Sequence, residues 1–241
     1  VKQAALVTGA SKRIGLAIAG ALAGRGYDIA MHYGKSREQA QASADKIKAM
    51  GVDCRLFQAD LSQFDQVAAL AAGVVEAMPH CTVLVNSAAI FERAGLAGTD
   101  EAILNRHFAI NFKAPFFLTR DLAAFWAKNN VRANIVNILD TRITRQAVAH
   151  FAYTLSKKAL YDFTKMAAKD LAPLVRVNGV CPGLILEPPG KDAAYLDKLV
   201  DTVPLKRRGS PADIAGAVMF LLDNDYITGQ CIFVDGGESV K

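Results

Sequence analysis

Seven short apolar runs, Ala4–Thr8, Asp28–Tyr33, Cys54–Gln58, Thr82–Asn86, Ala133–Leu139, Arg176–Val180 and Cys231–Asp235, alternate along the chain with longer stretches. In those stretches apolar residues recur at helical spacing, and two of them, IGLAIAGALAGRG and REQAQASADKIKAMG, end near a glycine that suits a helix C-cap. Strands alternating with helices mean βαβ units, and hence a parallel sheet covered on both faces. With right-handed crossovers the expected α/β architecture is one doubly wound, seven-stranded parallel sheet with helices on both faces, spanning 1–241. Ligands of such sheets sit beyond the carboxyl ends of the strands, so the residues just after each apolar run carry most of the functional information.

Bulk properties agree with a single Rossmann-type domain. The chain has 241 residues, 52% of them hydrophobic, enough for one sizeable core. No linker, repeat or low-complexity tract divides it, and no apolar run reaches the length of a membrane span. The start, VKQAALVTGA, lacks the charged and apolar regions of a signal peptide and enters a strand almost at once, so a cytoplasmic location is expected. Cys54, Cys81, Cys181 and Cys231 are widely spaced, with no CxxC pair, which points to reduced buried thiols and to no metal site. The net charge of +5 is mild and scattered apart from Lys206, Arg207 and Arg208. It gives little support for nucleic-acid binding, and it suits a small anionic ligand.

After the first strand comes TGASKRIG. Gly9 allows a tight turn, Gly15 allows close helix–strand packing, and the following helix N-terminus offers N–H groups to a phosphate. The second strand ends in HYGKSR. A free ribose 2′-hydroxyl is usually met by an acid about twenty residues past the glycine turn, and none is present. Lys35, Ser36 and Arg37, with Lys12 in the turn, suit a 2′-phosphate instead, so NADPH is expected over NADH. The alternative is that Lys35 and Arg37 simply start a solvated helix. Asp60, after the third strand, is either an acceptor for an adenine amino group or a cap of a helix beginning at Ser62, and the two roles are compatible. Asn86 and the three small residues after it leave room for a flat ligand; Phe91 either stacks on a planar ring or packs in the core.

The fifth strand delivers Asp140 to its tip. Tyr153 and Lys157 follow at i and i+4, on one side of the next helix. An ammonium one turn away is expected to lower the phenol's pKa, so the pair reads as a proton relay. On an isolated helix the same pair would be an unremarked surface contact; behind the fifth strand of a nucleotide-binding sheet the relay is the stronger reading.

With these residues in view, the chain resembles the short-chain dehydrogenase/reductase family from end to end. TGASKRIG is similar to its glycine motif, QADLS to its adenine-side acid, NSAA to its NNAG, and YTLSK to its YxxxK. Asn111 falls at its catalytic asparagine, Pro182 and Gly183 at the PG beside the nicotinamide, and FVDGG closes the sheet. The resemblance implies a catalytic set of Asp140, Tyr153, Lys157 and Asn111, the last placing a water. It also implies a cofactor path through Gly9, Lys12, Arg13, Ile14, Gly15, Tyr33, Lys35, Ser36, Asp60, Leu61, Asn86, Ala88, Tyr153, Lys157, Pro182, Gly183 and Ile185. Two departures stand out: Arg13 replaces the middle glycine, and Asp140 replaces the catalytic serine. Together with the HYxxS-type second strand and Phe91, they resemble the pteridine reductases; bacterial dihydromonapterin and dihydrofolate reductases of this fold share Asp-Tyr-Lys. That resemblance implies that Arg13, Phe91, Asp140 and Tyr153 meet a pterin-like substrate; the segment at about 187–210 reads as its lid, although Glu187–Asp201 gives no clear match to those relatives, and the wider family resemblance implies a homotetramer. Ala89, where some relatives offer a hydroxyl, and Glu187, where many have a threonine, depart from the pattern.

An ionised Asp140 would repel the alkoxide that grows during ketone reduction, and a dry site magnifies the repulsion. A C=N bond reverses the preference, because the nitrogen needs a proton and its neighbours offer N–H groups to a carboxylate. The expected activity is therefore NADPH-dependent reduction of a dihydropterin. One alternative is a carbonyl reductase, such as a 3-oxoacyl-carrier-protein reductase with Asp140 protonated. Another is a non-catalytic NADP-binding regulator, against which Asn111, Tyr153 and Lys157 argue.

Overall fold

A computed structural model describes residues 2–187 and 198–240. Part of the expected lid, residues 188–197, lies outside the described residues. Seven strands, β1 (Ala4–Val7), β2 (Asp28–Tyr33), β3 (Cys54–Gln58), β4 (Cys81–Asn86), β5 (Ala133–Ile138), β6 (Val175–Pro182) and β7 (Cys231–Val234), form one sheet in the order β3-β2-β1-β4-β5-β6-β7. Every adjacent pair is parallel. The strand order reverses between β1 and β4, which opens a crevice past their carboxyl ends. The helices are α1 (Arg13–Gly24), α2 (Arg37–Lys48), α3 (Phe64–Ala77), α4 (Glu101–Phe108), α5 (Ala114–Lys128), α6 (Phe151–Asp170) and α7 (Pro211–Asp223).

The central strands are mostly apolar because both of their faces are covered. In β1, Ala5 and Val7 join one core with Ile18 and Leu22 of α1 and Val218 of α7. Ala4 and Leu6 join the other, with Leu70 of α3 and Leu118 and Trp126 of α5. This is the two-residue alternation of a strand read out on two faces. Trp126 is fully buried, and its indole N–H donates to the Cys81 carbonyl at 2.7 Å. Burial pushes the Cys54, Cys81 and Cys231 thiols up to about 11, where little reactive thiolate exists at neutral pH. Among the described residues no helix is long and apolar enough to cross a membrane.

One local feature differs from the sequence expectation, and a second has no counterpart in it. Helix α3 begins at Phe64 rather than Ser62, because the Asp60 carboxylate accepts from the Ser62 N–H (2.9 Å) and hydroxyl (2.8 Å) in a turn ahead of the helix. Between α4 and α5 the chain makes a π-helical turn, Ala109–Lys113, and Asn111 sits in it.

Candidate active site

At the tip of β1, Gly9 has φ +66°, and a Cβ there would stand 3.0 Å from the Ala88 Cα. A Cβ on Gly15 would collide with the Gly9 carbonyl, so the turn and α1 pack as closely as backbone allows. Arg13 adopts the same left-handed region, φ +56°, at a strain of about 1 kcal/mol for a residue with a Cβ. Its guanidinium donates to the Glu187 carbonyl at 2.6 Å, which ties the glycine turn to the root of the expected lid.

His32 anchors this turn. Its Nδ1 accepts from the Gly9 N–H (3.0 Å) and its Nε2 lies 3.1 Å from the Ala59 carbonyl. One nitrogen must accept and the other must donate, so the ring is neutral with its proton on Nε2. Burial lowers its pKa, against the opposing pull of the Ala59 carbonyl.

A groove of about 640 Å³ opens above these groups. Of the expected cofactor residues, Gly9, Lys12, Arg13, Ile14, Gly15, Lys35, Asp60, Leu61 and Ala88 line it. Lys12, Lys35 and Arg37 make no ion pair among the described residues, and Ser36 precedes α2 without capping it by its side chain. Asp60, its pKa lowered first by the Ser62 backbone hydrogen bond, is anionic at the rim. Tyr33, by contrast, is buried with its hydroxyl on Gln58 (3.3 Å), and Asn86 is buried beneath the groove, donating to Asn137 at 2.8 Å. Ile185 lines a separate cavity of about 460 Å³, and Pro182 and Gly183 line neither. Gln58, Gln66 and Ile110 line the groove without having been singled out in the sequence, and His32, given no role of its own within HYGKSR, lines it too. For His32 the signal was there: a polar residue within the apolar run DIAMHY, one position short of the tip.

Past the tip of β5 the site changes character. The Tyr153 hydroxyl donates to Asp140 Oδ2 at 2.8 Å. The Arg142 backbone N–H reaches Oδ1 at 2.8 Å, and its Nη1 lies 3.2 Å from Oδ1 and 3.0 Å from Oδ2. Asp140, Tyr153 and Lys157 are all buried. Burial, then the charge of Asp140, raises the phenol's pKa well above its ordinary value against a lowering pull from Arg142, so the net shift is opposite to the acidification expected from Lys157. Lys157 lies 6.0 Å from the phenol ring centre and donates to the Ile138 carbonyl at 2.6 Å. Desolvation lowers its pKa to about 8.

Asn111 is fully buried. Its amide donates to the Ile90 carbonyl and the Ser156 hydroxyl, both at 3.1 Å, and accepts from the Ile90 N–H at 2.9 Å. Both of its N–H groups are therefore spent on tying α6 to the segment after β4. Phe91 also has partners already. It stacks on His150 (centroids 4.1 Å apart, 20°), meets Tyr153 edge-on at 4.7 Å, and lies 5.1 Å from the Arg142 guanidinium carbon. Arg142 and His150 complete the cluster, and neither stood out in the sequence.

A family model described as enoyl-(acyl carrier protein) reductase matches residues 9–239, and the chain belongs to the short-chain dehydrogenase/reductase family. Among its relatives, the 3-oxoacyl-[acyl-carrier-protein] reductase of Staphylococcus epidermidis is 33% identical over 242 residues, covering 98% of this chain and 99% of that one. Pteridine reductase 1 of Leishmania tarentolae is 33% identical over 277 residues, covering 98% and 96%. The crystal structure of FolM alternative dihydrofolate reductase 1 from Brucella canis, complexed with NADP, matches with a TM-score of 0.94 and 33% identity, covering 99% of this chain and 94% of that one.

Proposed function

We propose that the protein is an NADPH-dependent reductase that delivers hydride to a C=N bond of a dihydropterin-type substrate. The observation that carries this reading is Asp140, buried at the β5 tip and held by the Tyr153 hydroxyl, where the family's serine would otherwise stand. The cofactor assignment rests on the groove: a glycine turn open to phosphates, and Lys12, Lys35 and Arg37 without ion pairs among the described residues beside the uncapping Ser36. When bound, the nicotinamide supplies the hydride.

The chain's own residues then handle protons. Tyr153, kept protonated by burial and by Asp140, gives its proton to the nitrogen that becomes basic. Lys157 stabilises the phenolate left behind. Asp140 accepts N–H groups from the substrate ring and fixes which nitrogen faces the phenol. The resemblances further support one domain, a homotetramer and a cytoplasmic enzyme; light scattering on the purified protein tests the tetramer.

One observation favours a second reading. The Arg142 guanidinium offsets the charge of Asp140, and this weakens the repulsion that an alkoxide would meet. A carbonyl reductase acting on a 3-oxoacyl thioester fits that feature, and a 3-oxoacyl reductase is as similar in sequence as the pteridine reductase. NADPH oxidation with a dihydropterin and with an acetoacetyl thioester separates the two. The proposal expects pterin turnover that is lost in Asp140→Ser; brisk thioester turnover with no pterin turnover overturns it.

A further inference from the structure

Each oxygen of Asp140 already receives two donors. Oδ1 accepts from the Arg142 backbone N–H and from Nη1; Oδ2 accepts from Nη1 and from the Tyr153 hydroxyl. A carboxylate has about four lone-pair sites, so no further N–H donor can be taken while Nη1 stays. The same guanidinium lies over Phe91. It is flat, delocalised, rich in N–H donors, set over an aromatic ring and bonded to a carboxylate. An amidine-edged ring seated on Phe91 and Asp140 would share these properties.

We infer that Arg142 is a built-in competitor for the substrate ring: its guanidinium holds the place on Asp140 and Phe91 that a flat, N–H-donating ring takes when it binds. The inference rests on the reading of Asp140 and Phe91 as substrate-binding groups. The neighbourhood is arranged for such an exchange. The Arg142 side chain is 36% exposed, so its guanidinium has a solvent-facing side toward which to move. Asp140 remains aimed after the swing, because it caps the turn Thr141–Thr144 through the Arg142 backbone N–H and still holds the Tyr153 hydroxyl. Phe91 remains in place through its stack on His150, whose Nδ1 is itself fixed on the Glu92 carbonyl at 3.0 Å. Only the guanidinium has to move. The competition selects for rings that present two adjacent N–H donors, since a ligand with a single acceptor oxygen has nothing to offer Asp140 in exchange.

The test uses the NADP-bound enzyme and benzamidine, a flat amidinium that carries no reducible pterin bond, with binding measured by calorimetry. If the guanidinium leaves the subsite free about a tenth of the time, Arg142→Ala binds benzamidine about tenfold more tightly than the parent, and KM for a dihydropterin falls by a similar factor. Adding Asp140→Asn abolishes the gain. Arg142→Lys, which keeps the charge but not the planar stack, is expected to bind benzamidine more tightly as well, and it serves if the alanine variant folds poorly. Unchanged or weaker benzamidine binding in the folded variants overturns the inference, and shows Arg142 to be a fixed counter-ion. The outcomes also separate the two proposals. Tighter benzamidine binding without any pterin turnover sinks the substrate reading alone; pterin turnover with unchanged binding sinks the competitor alone.

Discussion

The tips of β1 and β2 and the tip of β5 lie along one edge of the same sheet, yet they are finished in opposite ways. At β1 and β2 a neutral histidine anchors the glycine turn from below, and the nearby cations, Lys12, Lys35 and Arg37, have no ion-pair partners among the described residues. At β5 the candidate catalytic groups are already engaged: Tyr153 with Asp140, Asp140 with Arg142, Lys157 with the Ile138 carbonyl, and Asn111 with Ile90 and Ser156. A phosphate brings its own charge, so its seat is best left with unsatisfied donors. Proton transfer needs groups whose protonation states are fixed beforehand, so its seat is dry, paired and dense. One end of the crevice is poised to accept; the other has to be exchanged into.

The widest effect is expected from Lys157→Met, which attacks the dense end. It removes the group that steadies the phenolate, and turnover falls about 10³-fold. Stability moves the other way. Holding this ammonium in a site that lowers its pKa to about 8 costs roughly 3 kcal/mol. The lowered value also fixes the sign of the pH dependence. Between about 8 and the ordinary lysine value the unfolded chain holds the extra proton, so the parent gains stability as pH rises through that window. The methionine variant is expected to melt higher at pH 7 and to lack that rise. Urea melts across pH alongside NADPH oxidation check both; a variant that is inactive and less stable would show that the dense end holds the fold together instead of straining it.

Gly15→Ala attacks the open end, where the expected loss is smaller but falls on binding. The new Cβ meets the Gly9 carbonyl, backbone that cannot swing aside, and overpacking of this kind costs about 1–3 kcal/mol. NADPH affinity, read by fluorescence titration, is expected to drop about tenfold or more, while the Tyr153–Asp140 pair is untouched. Equal affinity would mean that the turn is looser than its contacts imply.

These two ends were not equally readable. The sheet, its parallel order and the tips were legible because strand period, helix period and glycine position are local signals. Tyr153 and Lys157 were legible for the same reason, being one helical turn apart. The pairing of Phe91 with His150 joins the loop after β4 to the start of α6, and nothing local announces it. Arg142 stands two residues from Asp140, but its guanidinium folds back only because a 3₁₀ turn begins there. The raised phenol pKa followed suit: the sequence showed the lysine that favours phenolate, while the burial and the carboxylate that oppose it came from the fold.

His32 offers a pH-dependent probe of the open end. Its pKa in the fold lies below the ordinary histidine value of 6.5, so its contribution to stability is complete above 6.5 and is lost as pH falls through the lowered value. Protonation there would also remove the acceptor for the Gly9 N–H. His32→Gln keeps a polar side chain but does not titrate. Stability is expected to fall by up to about 1 kcal/mol between pH 6.5 and 5.5 in the parent and to change less in the variant. NADPH affinity should follow the same pattern, and parallel pH slopes for the two proteins would remove His32 as the anchor of the turn.

The smallest effect is expected at the outer rim. Lys35 lines the groove and is solvated, so its attraction for a 2′-phosphate is screened and amounts to about 1 kcal/mol. Lys35→Ala should therefore lower the preference for NADPH over NADH about fivefold while leaving NADH binding nearly unchanged. The comparison of the two cofactors isolates the phosphate, since everything else they present to the groove is the same. Added salt sharpens the result: the parent's preference should shrink toward the variant's as ionic strength rises, because exposed charges are screened within about 10 Å at 0.1 M. A preference that survives both the substitution and the salt would move phosphate recognition inward to Ser36, where hydrogen bonding rather than net charge would have to do the selecting.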